Sequence, residues 1–188
     1  MELDMPLVFF SKRYDKRLKE ELKKRVSETI WFSYREEFPA IMPETFHKKR
    51  LTCDRGWGCM IRCGQMMLAE GIKRHYEGKG LLLDKFKRES LMTIISLFAD
   101  FVQDPILAPF SLQQICKTAY ESFGSIPGKW YRASSVVMSL DILNDKYGIR
   151  RIQNFKICMF NEGTIYEDQI FKKAINTPEE EGRNSESF

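Results

Sequence analysis

From Tyr14 to Ile30 the apolar positions Leu18, Leu22, Val26 and Ile30 recur every four residues, with lysine, arginine and glutamate filling most places between. That spacing predicts an amphipathic helix with one apolar stripe on a core and a solvated back. Glu20 and Glu21 break up the basic face, which favours this reading over a helix lying on a membrane surface. After "WFSYREEFPAI" and the loop "MPETFHKKRLTCDRGWG", a second helix is predicted to start near Cys59 and end before Gly78. Leu91, Ile94, Ile95, Phe98 and Val102 mark a third, closed by Pro105 and Pro109, since proline cannot donate in a helix interior. Ser111 can cap a fourth helix running through Phe123, "GSIPGKWY" is a turn-rich loop, and Ser134 or Ser135 can begin a fifth. "NFKICMF", Asn154 to Phe160, alternates and carries the aromatic content of a strand. The polar, acidic tail from Thr177 is expected to be disordered, leaving residues 1–176 as the folded part and 177–188 as the tail.

Composition narrows the class. With 188 residues, 43% of them hydrophobic, the chain can bury a core of its own. No apolar run approaches the roughly 18 residues of a membrane span, and "MELDMPLVFF" lacks the basic start and apolar stretch of a secretory signal, so a cytoplasmic protein is expected. A net charge of +4 with interspersed signs argues against a nucleic-acid footprint.

Five cysteines without a secretory signal are expected to be reduced thiols. Cys53, Cys59 and Cys63 fall close together after His47, which invites a zinc reading. The absence of a Cys-x2-Cys knuckle counts against it, because structural zinc sites draw paired ligands from tight turns. No other cofactor is expected.

The chemistry concentrates at Cys59. A helix N-terminus favours a thiolate, because its unpaired backbone N–H groups and macrodipole attract negative charge. Gly56 and Gly58 would let the chain turn sharply into that position, and Gly58 leaves room for a substrate carbonyl to approach the Cys59 N–H. Against this, Cys59, Cys63, Met66 and Met67 share one helix face, so Cys59 could equally be the first buried residue of that face. Spacing alone leaves both readings open.

The block "TCDRGWGCMIRCGQMMLAEGI", preceded by "IWFSYREEFPAI" and followed by "SIPGKWY", closely resembles the autophagins, the cysteine proteases of autophagy, over roughly residues 30–160. The resemblance implies an α+β, papain-like cysteine protease fold, of which this chain would be the mainly helical N-terminal half and thus an incomplete domain. It implies that Cys59 is the nucleophile and that Tyr34, in "WFSYR", is the oxyanion-hole tyrosine. Trp130 would line the substrate channel, with Trp57 and Gly58 on the substrate side of the nucleophile turn. Where the family continues the Trp130 loop with Gly-Pro, this chain has Arg132-Ala133, which alters that wall of the cleft.

A thiol protease also needs an imidazole to return a proton to the leaving amine, and a third group to orient it. The family's Asp-Pro-His block is absent. The sequence ends short even of the roughly 130 to 150 residues that separate a papain-type cysteine from its histidine. Asp104-Pro105 is followed by Ile106, His75 is predicted at the far end of the Cys59 helix, and His47 lies among lysines. The resemblance thus implies an enzyme that cleaves after a glycine near the C-terminus of the ubiquitin-like autophagy modifier and releases the modifier from phosphatidylethanolamine. Contact with a membrane surface would be transient and made through that substrate. A catalytically inactive binding module for the modifier and a small zinc-stabilised domain are the alternatives.

Overall fold

A computed structural model describes residues 6–41, 50–78, 87–147, 155–160 and 163–175. The described residues group into two compact units that meet in sequence between Ser33 and Tyr34. His47 and the tail from Thr177 lie outside the described residues.

In the first unit, strand β1 (Leu7–Phe9) pairs antiparallel with β2 (Lys12–Tyr14), Leu7 opposite Tyr14. Phe10 and Ser11, with φ of 47° and 65°, make the two-residue turn, whose double left-handed backbone matches the twist of the flanking strands. Asp15 then accepts the Arg17 and Leu18 N–H groups and starts a 3₁₀ turn, Lys16–Leu18. Helix α1 (Lys19–Ser27) follows, so the helix predicted from Tyr14 begins five residues later, after the hairpin and the Asp15 cap have used Tyr14 to Leu18. Tyr14 and Leu22 are buried together, and Leu7, Phe9 and Leu18 pack on them. Val26, assigned to the apolar stripe by its spacing, is 50% exposed.

The second unit holds helices α2 (Cys59–Gly78), α3 (Lys87–Ser96), α4 (Leu112–Phe123), α5 (Ala133–Tyr147) and α6 (Glu167–Ile175). Helix α2 is central, packing against α3, α4 and α5, while α4 also packs on α5. Gly64 sets the α2–α5 distance: a Cβ there would lie 2.6 Å from Val136 Cγ1, so a side chain would force the helices apart. Ile61, Ile72, Ile94, Phe98, Phe110 and Ile115 are essentially without exposure and form the core.

Helix α4 starts and stops where the sequence predicts. Ser111 Oγ accepts the Gln114 N–H, and Gly124 at φ 64° closes the helix in the left-handed conformation. Helix α3 ends at Ser96, well before Pro105. The Leu97 carbonyl accepts the Phe110 N–H, and residues 97–99 tighten into bonds three residues apart, so the helical ladder stops there. The strand expected over Asn154–Phe160 is a correction: 155–160 is irregular, because no other described segment pairs with it, and Phe155 instead meets the His75 ring edge-on at 5.5 Å. Helix α6 and the N-terminal hairpin were not among the predicted elements, although Ile170, Phe171, Ala174 and Ile175 of α6 do recur with helical spacing. Among the described residues, no helix is long and apolar enough to cross a membrane.

Candidate active site

Residues 53–58 form the turn that delivers the chain to α2. The Asp54 carbonyl accepts the Trp57 and Gly58 N–H groups at 3.2 and 2.8 Å, and Gly56 adopts φ 86°, a conformation that favours glycine. Gly58 is required for a separate reason: a Cβ on it would lie 2.4 Å from Asp54 Oδ2. Its carbonyl accepts the Arg62 N–H at 3.0 Å, the first bond of the helix, which puts Cys59 in the opening turn.

Cys59 is exposed, and so are Cys63 and, at 60%, Met67, one and two turns further along the same face. The alternative in which Cys59 is the first buried residue of that face is therefore overturned. The buried stripe of α2 runs instead through Ile61, Gln65, Leu68 and Ile72. Cys116 behaves oppositely: it is fully buried, and burial pushes its thiol up to about 12.

Beneath the turn lies a buried charge cluster that sequence reading missed. Arg62, 2% exposed, donates from Nε to Asp54 Oδ2 at 2.8 Å and from Nη1 to Asp100 Oδ2 at 2.8 Å and to Gln65 Oε1 at 2.9 Å. Burial alone would lower the affinity of this guanidinium for its proton. The hydrogen bond that Arg62 donates to Asp54 and the charges of both carboxylates outweigh it and raise the pKa. Asp100 Oδ1 accepts the Leu112 N–H at 2.9 Å, and Gln65 donates to the Phe110 carbonyl at 2.8 Å, so the cluster fastens the start of α2 to that of α4. A signal for it existed in the sequence: Arg62 shares a helical stripe with Gln65, Ala69 and Ile72, an odd place for a charge unless it is paired.

Tyr34 is 46% exposed, so it is no core residue. Its neighbour Arg35 is tied to the turn before Cys59 through a backbone N–H donated to Asp54 Oδ1 at 2.6 Å, and an antiparallel bridge pairs Glu36 with Cys53. Trp130 is 82% exposed and reaches the same turn, donating its indole N–H to the Gly56 carbonyl at 2.9 Å. Trp57, expected on the substrate side, is instead buried: its indole N–H is held by the Cys53 carbonyl at 2.9 Å and its ring lies 6.3 Å from that of Tyr131. Among the described residues, no three histidine, cysteine or acidic side chains are grouped to hold a metal ion, and His47 lies outside those residues. His75 is packed near the other end of α2, about 24 Å along the helix from Cys59 at 1.5 Å rise per residue.

Residues 19–187 match the family model described as the peptidase C54 catalytic domain. The chain belongs to the peptidase C54 family. Among similar proteins, one of Aspergillus niger named probable cysteine protease atg4 is 30% identical over 168 residues, 79% of this chain and 39% of its own length. A protein of Pichia angusta named probable cysteine protease ATG4 is 30% identical over 178 residues, 82% of this chain and 33% of its own. The chicken cysteine protease ATG4B is 33% identical over 124 residues, 65% of this chain and 29% of its own length. The chain thus spans about a third of the length of these relatives.

Proposed function

We propose that this chain carries the nucleophile side of a thiol protease that cleaves the C-terminus of a ubiquitin-like autophagy modifier after glycine and frees the modifier from phosphatidylethanolamine. The observation that carries the reading is Cys59: an exposed thiol in the first turn of α2, at the end of a glycine turn fixed by Asp54. In the proposed reaction the Cys59 thiolate attacks the glycine carbonyl, and Tyr34 donates from its hydroxyl to the oxygen that becomes negative. The tetrahedral intermediate collapses to a thioester as the amine takes a proton and leaves, and water then releases the modifier. Trp130 forms a wall for the extended tail. The imidazole that moves the proton is not His75, which stands too far from Cys59. The distance of His75 also favours a second reading, a binding module that holds the modifier without turnover.

The experiment is covalent capture by the modifier with its terminal glycine replaced by a vinyl methyl ester. Peptide mapping is expected to find the adduct on Cys59 and none in Cys59→Ala. Trp130→Ala is expected to weaken non-covalent binding of the modifier's tail by about 1 to 3 kcal/mol, as for loss of an aromatic anchor, and to leave the fold intact. An adduct on Cys63, or an unchanged affinity in Trp130→Ala beside a lowered melting temperature, contradicts the assignment.

A further inference from the structure

Asp54 has no exposure, and every polar group it has is engaged. Its N–H donates to the Arg35 carbonyl at 3.2 Å and its Oδ1 accepts the Arg35 N–H at 2.6 Å, so residues 35 and 54 are bonded in both directions. Its Oδ2 accepts from Arg62 Nε at 2.8 Å, and its carbonyl holds the Trp57 and Gly58 N–H groups. One residue thus fixes three pieces of chain: the segment that bears Tyr34, the turn that presents Cys59, and the first turn of α2. The turn is held by the Asp54 main chain, but the simultaneous hold on the Arg35 N–H and on Arg62 needs a carboxylate, since both side-chain oxygens must accept and the side chain of asparagine has a single acceptor oxygen. A buried ion pair is weak evidence for stability, because apolar replacements of such groups are often neutral. The two-way bond to Arg35 is a separate duty that the ion pair does not need.

We propose that Asp54 is a positioning residue for the reaction: it holds the Tyr34 segment against the Cys59 turn, so that the Tyr34 hydroxyl meets the oxygen developing on the carbonyl that Cys59 attacks. The inference rests on the roles of Cys59 and Tyr34 proposed above. Without the Asp54 carboxylate the two segments would keep their main-chain links, the Asp54 N–H to the Arg35 carbonyl and the Glu36–Cys53 bridge, but lose the side-chain anchor they share.

The test uses the whole chain and acetyl-phenylalanyl-glycinal, an aldehyde that requires no leaving group. The Cys59 sulfur bonds to the aldehyde carbon, the carbonyl π pair moves to oxygen, and the thiol proton ends on that oxygen, giving a reversible thiohemiacetal with nothing expelled or oxidised. Its dissociation constant is read by NMR from a ¹³C label on the aldehyde carbon, beside the melting temperature of each variant. Tyr34→Phe and Asp54→Asn are each expected to weaken the adduct about tenfold or more, and the double variant no further than Tyr34→Phe alone, because both remove one interaction. Asp100→Asn takes an equivalent charge from Arg62, and with it the long 3.4 Å contact of Arg35 Nη1, but leaves the short Arg35 N–H bond to Asp54 in place. It is expected to lower the melting temperature and keep adduct affinity within about twofold. If Asp54→Asn weakens the adduct no more than Asp100→Asn, or if its loss adds to that of Tyr34→Phe, the inference is wrong while the nucleophile reading stands. If Cys59→Ala binds the aldehyde as well as the unaltered chain, the nucleophile reading fails and the inference with it. Asp54→Glu, which keeps a charge for Arg62, serves under the same criteria where Asp54→Asn does not fold.

Discussion

Incubated alone with the unprocessed modifier, the 188-residue chain is expected to release the C-terminal extension at least about 10² to 10⁴ times more slowly than a complete thiol protease. Attack by Cys59 is only half of the reaction. The tetrahedral intermediate reverts unless the amine is protonated as it leaves, and that proton needs a positioned acid. His75 is anchored against Phe155 at the far end of a rigid 20-residue helix, so side-chain rotation cannot bring it to Cys59. The members of such a catalytic set act as a unit, so an imidazole out of reach of Cys59 can cost more than its own share. Mass spectrometry of the released extension, with Cys59→Ala as the blank, measures the effect. Cysteine-dependent turnover at ordinary protease rates would assign the acid to a histidine of this chain, and His47→Ala would identify it.

Arg62→Met is expected to destabilise the protein by about 3 to 5 kcal/mol, the cost of breaking a buried ion pair by removing one partner. Asp54 and Asp100 would keep their charges in a site where each is at most 1% exposed, with the shared cation gone. For a chain of this length that corresponds to a fall in melting temperature of roughly 6 to 20 °C. Replacing all three charged residues by apolar ones of similar volume is expected to cost much less, since the one charge that then loses a partner, Arg35, is partly exposed. Urea unfolding of the two variants makes the comparison. A loss below about 1 kcal/mol in Arg62→Met would mean that water or another cation reaches the carboxylates and the pair is not what holds this site together.

The legible parts of the fold were those written in short-range chemistry. Ser111 and Gly124 bracket α4 because a hydroxyl and a left-handed glycine are local signals. The glycine turn before Cys59 could likewise be read from Gly56 and Gly58, although the stronger reason for Gly58, the nearby Asp54 carboxylate, could not. The end of α3 depends on a bond between Leu97 and Phe110, and the burial of Arg62 on Asp100, 38 residues away. Such pairings leave little trace in apolar spacing. Periodicity grouped Cys59 with Cys63 and Met67 correctly, yet it cannot say whether a face made of sulfur-bearing residues is buried or open. Trp57 and Trp130 show the same limit: two indoles near one turn, the first buried in its support and the second turned to solvent.

The presentation of Cys59 is tested most directly by limiting iodoacetamide near pH 7, followed by peptide mapping over time. Cys63 is an internal control, exposed on the same face but one turn beyond the free N–H groups of the helix start. Cys116 is a second control, buried with its thiol held protonated. Cys59 is expected to be modified first, ahead of Cys63 and Cys158, with Cys116 last. Modification of Cys59 after Cys158 or Cys116, or no faster than Cys63, would contradict a nucleophile activated by the start of α2.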